Sequence, residues 1–167
     1  VSHGLISPFL FLLVGVIYDR THNRNRDDFA GLVQPMPRYV AFAMVGFFAS
    51  MGIPAFSGFI GEVLVVIGAF KSSGFNQFIP RWVALMTTAG ILLSASYYLY
   101  TARKMFFGEF WSRDPQWKES LTDLNLREYL MLVPLLVAFV ALGIFPQYLM
   151  EYLNPAVERL TDWVTGR

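Results

Sequence analysis

The sequence predicts an all-α integral membrane protein with four transmembrane helices, one of them discontinuous. Of its 167 residues, 55% are hydrophobic and only 15% are charged, whereas soluble domains carry about 25% charged residues. The uncharged residues are gathered in long runs, and the mean hydropathy is +0.46. Runs of about 20 apolar residues are what a helix needs to cross the hydrocarbon core of a bilayer, which is about 30 Å thick.

The composition also excludes several classes of site. The chain has no cysteine, which excludes disulfides, iron–sulfur clusters and cysteine nucleophiles on this chain. A net charge of +1 gives no electrostatic footprint for nucleic acid. With two histidines and no clustered carboxylates, no metal site is predicted.

The first predicted helix covers residues 1–19, since the chain is uncharged from Val1 to Tyr18 and then reaches Asp19 and Arg20. Eighteen uncharged residues are at the short end for a span, and the sequence does not begin with Met. We therefore expect the chain to be the carboxy-terminal part of a longer protein. A polar, basic loop is predicted to follow, up to residue 38.

The second predicted helix, 39–70, is the discontinuous one. Its 32 residues contain a single charge, Glu62, and an unbroken helix of that length would span about 48 Å, more than the membrane requires. Proline removes a backbone donor and glycine weakens a helix, so a break is predicted near 52–61. The residues assigned to the break are Gly52, Pro54, Ser57, Gly58 and Gly61.

The third and fourth predicted helices are 82–107 and 127–148. Between residues 71 and 81 a turn rich in Gly, Ser and Asn leads into 21 uncharged residues that stop at Arg103. A second polar loop then precedes the last uncharged run, which has Pro134 near its start and Pro146 near its end. The tail, 149–167, is predicted to form an amphipathic surface helix.

The basic residues predict the orientation. The loops at 19–38 and 103–128 carry four and five Lys or Arg residues, nine of the thirteen in the chain. Because two crossings separate these loops, they are expected on the same side. The excess of positive charge predicts that this side is cytoplasmic, or the matrix side in a mitochondrion, and that the carboxy terminus lies outside.

Glu62 and His3 lie inside the long apolar runs, away from the charged residues that follow those runs. A carboxylate beside a helix break in the membrane is a candidate functional site, and histidine titrates near neutral pH. Both residues could relay protons. Alternatively, Glu62 could be a structural carboxylate, held neutral or paired with a cation, and His3 a packing histidine. No arrangement for covalent catalysis is present in the sequence.

Four stretches carry a resemblance to one family. Residues 3–11 with 15–22 resemble the eleventh helix of the antiporter-like subunits of respiratory complex I, and 51–62 resemble the broken twelfth helix. Residues 103–108 are similar to the end of the thirteenth helix, and 126–130 to the start of the fourteenth. The resemblance runs over essentially the whole chain. It implies about fourteen helices with two inverted repeats, each containing one discontinuous helix.

Within that family, Glu62 resembles the M-type class (subunit 4 in mitochondrial naming), because two related classes have lysine at this place. The resemblance implies that Glu62 is the terminal proton site toward the outer side of the membrane. It also implies that His3 lies on the hydrophilic axis leading to Glu62. The residues of the first half-channel would lie on earlier helices.

The function implied by the resemblance is that of a proton-translocating membrane subunit of NADH:quinone oxidoreductase, a translocase driven by electron transfer in other subunits. FMN, iron–sulfur clusters and quinone are expected on partner subunits and no cofactor on this chain. Expected partners are the L-type and N-type antiporter-like subunits and the lipid bilayer of the bacterial inner membrane. A cyanobacterial or plastid-type complex, a subunit of a multisubunit Na⁺/H⁺ antiporter or membrane-bound hydrogenase, and a purely structural scaffold remain alternatives.

Overall fold

The computed structural model describes residues 1–75 and 80–165. They form a helical bundle with one two-stranded ribbon. The helices are α1 (Ser2–Thr21), α2 (Pro37–Ser50), α3 (Ser57–Phe75), α4 (Arg81–Phe106), α5 (Trp117–Ser120), α6 (Leu126–Ile144) and α7 (Gln147–Thr165). The strands are β1 (Phe29–Ala30) and β2 (Trp111–Ser112). Among the described helices, α1, α4 and α6 are each long and apolar enough to cross a membrane.

The core lies where α1 packs against α2 and α6. Phe9 of α1 and Phe139 of α6 are fully buried, and their rings meet edge to face with centroids 5.3 Å apart. An edge-to-face aromatic pair stabilises the fold by roughly 0.5–1.5 kcal/mol beyond what the burial of its apolar area contributes. The Phe42 ring of α2 stacks on Phe9 from another side at 6.4 Å. These contacts fix α1 as the central helix around which the others are placed.

The break in the discontinuous helix is shorter than the sequence suggested. Helix α2 ends at Ser50 and α3 begins at Ser57, so the interruption is 51–56 and contains Gly52 and Pro54. Gly52 and Ala55 both have positive φ, 68° and 85°. The left-handed conformation suits glycine and costs an L-residue such as alanine about 1–2 kcal/mol.

The assignment of Ser57, Gly58 and Gly61 to the break was wrong, because all three lie within α3. Glycine in a helix costs only about 1 kcal/mol relative to alanine, which tertiary packing can offset. At Gly58 a Cβ would lie 2.9 Å from the Ala49 carbonyl oxygen. The absence of a side chain at Gly58 therefore allows the two half-helices to approach closely.

The boundary between the fourth helix and the tail was also misplaced. Helix α6 ends at Ile144 and α7 begins at Gln147, instead of one helix running to 148. Pro146 explains the difference, since proline disfavours helical conformation in the residue before it. Its carbonyl then accepts the first hydrogen bonds of α7, from the Leu149 and Met150 amides. The tail is helical as far as Thr165 and exposed on all sides from 151 to 164.

Part of the predicted turn at 71–81 lies outside the described residues, which exclude 76–79, as do the last two residues of the tail. The helix before this turn ends later than predicted, whereas the helix after it begins within one residue of the predicted start. Helix α3 continues to Phe75, five residues beyond the predicted limit, and α4 begins at Arg81.

The two basic loops are joined to each other. Strand β1 of the first loop pairs antiparallel with β2 of the second, with Phe29 opposite Ser112, and the Phe29 ring stacks on Trp117 at 5.1 Å. Lys104 Nζ donates a 2.7 Å hydrogen bond to Asp27 Oδ1, which lowers the pKa of that carboxyl below its usual value. The loops at 19–38 and 103–128 thus lie on one side of the bundle.

An ion pair joins the loop-side ends of α1 and α6. Arg20 donates from both terminal nitrogens to the carboxylate of Glu128, at 2.8 and 2.9 Å, and only 9% of each side chain is exposed. The Glu128 carboxylate also accepts a hydrogen bond from the backbone N–H of Asn125. The side-chain oxygen of Asn125 accepts one from the backbone N–H of Glu128, and the two bonds form a capping box. Paired, hydrogen-bonded geometry of this kind is needed for a buried ion pair to be stable.

Candidate functional site

Glu62 lies on α3 shortly after the break, and its carboxylate rests against the backbone of Gly52. A Cβ at Gly52 would overlap Glu62 Oε2. Gly52 also has a φ of 68°, a conformation that favours glycine, and a larger residue there would displace the Glu62 carboxylate from its present position. The break therefore provides the surface on which the Glu62 carboxylate is held.

Glu62 and His3 line one cavity, although they come from different helices. The cavity has a volume of about 590 Å³ and is bounded by α1, α2, α3 and α4. This size is sufficient for several water molecules, each of which occupies about 30 Å³ in the liquid. Besides Glu62 and His3, its polar lining consists of Ser2, Ser7, Ser50, Thr87 and Tyr98. We refer to it below as the site cavity.

Local hydrogen bonds orient the α1 side of the site cavity. Ser7 Oγ and His3 Nδ1 are joined by a hydrogen bond of 2.5 Å, one helical turn apart. Ser2 Oγ donates to the Ser57 carbonyl at 2.9 Å, which attaches the start of α1 to the start of α3. The Ser57 hydroxyl is buried and has no hydrogen-bond partner in the described part of the chain.

Helix α6 packs directly on the break. At Gly143 a Cβ would overlap the Ala55 carbonyl oxygen and the Phe56 backbone. Only a residue without a side chain permits this approach, so Gly143 supports the strained turn that precedes α3. Gly143 could not be singled out from the sequence, because its role depends on a backbone segment far away in the chain.

The predicted site residues fall into two groups. His3 and Glu62 are brought together on the site cavity, and Gly58 and Gly61 also line it. Gly52 and Pro54 form part of the break. Tyr98 and Thr87 add hydroxyl groups from α4. The arrangement provides an ionisable carboxylate and an imidazole in a space large enough for hydrogen-bonded water.

Known proteins resemble the chain over most of its length. A family model described as the NADH:quinone oxidoreductase/Mrp antiporter transmembrane family matches residues 1–91. NADH-quinone oxidoreductase subunit M of Rhodobacter capsulatus is 38% identical over 97% of this chain and 30% of its own length. NADH-ubiquinone oxidoreductase chain 4 of Marchantia polymorpha is 34% identical over 97% of this chain and 31% of its own length.

The fold is similar to that of a solved structure. Respiratory complex I from Thermus thermophilus with bound NADH contains a chain that superposes with a TM-score of 0.78 and 31% identity, covering 92% of this chain and 30% of that chain. This chain thus spans about 30% of the length of the curated relatives it matches. The family match extends over more than half of the chain and includes α1, the break and Glu62. The chain is a multi-pass membrane protein and belongs to the NADH:quinone oxidoreductase/Mrp antiporter transmembrane family.

Proposed function

We propose that the chain is part of a proton-translocating membrane subunit of NADH:quinone oxidoreductase, in which His3 and Glu62 carry the proton. The observation on which the proposal rests is the Glu62 carboxylate, held against the backbone of the broken helix and facing a cavity that it shares with His3. Ionisable residues at a discontinuous helix mark transport pathways in many membrane proteins. The similarity to subunit M and chain 4 proteins supports the same assignment.

In this proposal α2 and α3 form one interrupted span, so that the chain crosses the membrane four times. Break, cavity and carboxylate would then lie inside the bilayer, where non-helical backbone is stable only if it is buried or lines a wet cavity. The partners would be other membrane subunits of the complex, including the L-type and N-type antiporter-like subunits. FMN, iron–sulfur clusters and quinone would lie on partner subunits, and the membrane would be the bacterial inner membrane.

The residues provide a short path for a proton. Within the described residues no hydrogen bond links His3 directly to Glu62, so water in the site cavity would connect them. Ser7 fixes one nitrogen of the His3 ring and leaves the other for exchange with that water. A positive charge moving to about 4 Å from Glu62 would change its interaction energy by about 4 kcal/mol at an effective dielectric of 20. That energy corresponds to roughly a thousand-fold change in proton affinity.

The test is proton pumping by the intact complex reconstituted in liposomes, with Glu62→Gln and with the exposed-loop control Glu119→Gln. Quinone reduction is followed alongside. We expect Glu62→Gln to abolish pumping and slow quinone reduction while the complex still assembles, and Glu119→Gln to behave as wild type. Wild-type pumping and reduction with Glu62→Gln would refute the relay and leave Glu62 as a structural residue.

A cation/proton antiporter subunit is the second candidate, since the matching family model includes Mrp antiporters. In that case the same site would exchange H⁺ for Na⁺ without quinone reduction. Purification of the native assembly distinguishes the two candidates. Flavin and iron–sulfur subunits that co-purify with quinone reductase activity support the oxidoreductase, whereas Na⁺-dependent proton exchange without that activity supports the antiporter.

A further inference from the structure

A second cavity continues the site cavity toward the basic loops. It has a volume of about 310 Å³ and a mostly apolar lining from α1, α2 and α4. On each helix the two cavities are lined by successive segments. The site cavity is lined by residues within 2–7 of α1, 49–50 of α2 and 87–98 of α4. The second cavity is lined by residues within 10–17 of α1, 39–47 of α2 and 97–106 of α4.

This order means that both cavities belong to one groove between the three helices. Following α1 from its start leads from Ser2, through the site cavity, past Leu10 and into the second cavity. Residues of α2 and α4 line the same two cavities, one after the other along each helix. One end of the groove therefore contains Glu62, and the other reaches the loop that follows α1.

Tyr98 stands where the two cavities meet. Among the described residues it is the one that lines both. The centroid of its ring lies 5.1 Å from that of Phe47 of α2 and 5.4 Å from that of Tyr97 of α4. Phe47 lines the second cavity. The Tyr98 and Phe47 rings thus come from two helices and meet at the junction of the cavities, and we call this pair the Tyr98–Phe47 partition.

The loop end of the second cavity is positively charged. Arg24 and Arg26 line it there, and Arg26 is fixed by a 3.2 Å hydrogen bond that its Nη1 donates to Thr101 Oγ1. The Arg24 guanidinium lies over the Tyr18 ring, 4.3 Å from its centroid. The Asp27 carboxylate accepts bonds from both Arg26 and Lys104, and the remaining excess of positive charge at this mouth opposes the entry of a further cation. The charges and the partition therefore act in the same direction.

We propose that the Tyr98–Phe47 partition insulates Glu62 from the basic-loop side of the membrane. The proposal rests on the proposed function, since insulation matters only if Glu62 carries protons. A transport site open to both sides at once would let the gradient dissipate. Apolar constrictions stop conduction by excluding water, and two aromatic rings in contact where the two cavities meet are suited to that role. Tyr98 thus determines the side to which the site cavity opens.

Tyr98→Ala tests the partition because it removes the ring and joins the two cavities. The experiment uses the whole complex in liposomes and measures the decay of an imposed pH gradient without substrate, together with quinone reduction. We expect the imposed pH gradient to decay several-fold faster while quinone reduction is retained. Electron transfer would then be uncoupled from the proton gradient. Tyr98→Phe keeps the ring and should remain as proton-tight as wild type. Phe47→Ala removes the other half of the partition and should leak in the same way, which provides a second test if Tyr98→Ala does not assemble.

Leu99→Ala is the matched control. Leu99 follows Tyr98 on α4, is exposed and lines neither cavity, so its loss should leave the membrane tight. Tight membranes with both Tyr98→Ala and Phe47→Ala, or equal leaks with Leu99→Ala, would overturn the partition. Failure of the relay is recognised separately, because Glu62→Gln would then pump normally whatever the Tyr98 variants do.

Discussion

The carboxylate of Glu62 lies against the backbone of Gly52, where a Cβ would overlap Oε2. This relationship connects the interruption in the helix with the ionisable group ten residues later in the chain. The helix break thus holds a carboxylate in a defined position.

Gly52→Ala should displace the Glu62 carboxylate and impose a strained backbone, which costs about 1–2 kcal/mol for the left-handed conformation alone. We expect a large loss of proton pumping and a lower thermal midpoint for the solubilised complex. Gly68→Ala is the matched control, because nothing lies within 4 Å of its added Cβ and alanine favours a helix by up to about 1 kcal/mol. A Gly52→Ala complex that pumps as well as Gly68→Ala would contradict the contact.

Gly143→Ala should push α6 away from the break, because its Cβ would overlap the Ala55 carbonyl. Overpacking of this kind costs typically 1–3 kcal/mol, and we expect a lower thermal midpoint with weaker pumping. Ala55→Gly, in contrast, relieves a φ of 85° and should be neutral or slightly stabilising. Equal thermal midpoints for Gly143→Ala and wild type would show that α6 does not support the break.

Ser7→Ala removes the hydrogen bond to His3 Nδ1. A hydrogen bond of net value about 1 kcal/mol changes the population of the tautomer it selects about fivefold. We expect pumping to slow by about that factor and its pH profile to change, with Ser7→Thr restoring both. Ser96→Ala serves as control, since Ser96 bonds only within its helix to the Leu92 carbonyl. An unchanged pH profile for Ser7→Ala would mean that Ser7 does not orient His3.

Arg20→Met leaves the Glu128 carboxylate buried without its cation, which costs about 3–5 kcal/mol. The measurement is the thermal midpoint of the solubilised complex. Adding Glu128→Gln to Arg20→Met removes the unpaired charge and should restore a substantial part of the loss. Lys104→Met breaks a pair whose side chains are about half exposed, so its effect should be small. If Arg20→Met lowered the thermal midpoint no more than Lys104→Met does, the stabilising role of the buried Arg20–Glu128 pair would be contradicted.

Much of the fold follows from composition and run length. The uncharged runs predict α1, α4 and α6 because a helix crossing a bilayer must be apolar over its length. The joining of the two basic loops agrees with their predicted position on one side. His3 and Glu62 were singled out as charge-bearing residues in apolar runs, and the structure brings them to one cavity; that they carry protons remains a proposal.

The remaining features depend on tertiary contacts that a single sequence does not contain. The Ala49 carbonyl packs where a side chain of Gly58 would be, which composition alone does not reveal. Arg20 marks only the end of an uncharged run in the sequence, and its partner Glu128 lies on another helix. The position of Tyr98 between two cavities likewise depends on the relative placement of α1, α2 and α4.

The ribbon between β1 and β2, together with the Arg20–Glu128 pair, has a mechanical consequence. These contacts fix the loop-side ends of α1, α4 and α6 to one another, so the bundle is stiff at that end. At 1.5 Å per residue, His3 lies about 27 Å along α1 from Thr21. A small tilt of α1 about this end would therefore grow with distance along the helix, and the Ser2–Ser57 hydrogen bond would transmit it to the start of α3. The largest displacement would fall on the half of the groove that contains Glu62, and the smallest on the half beneath the arginines.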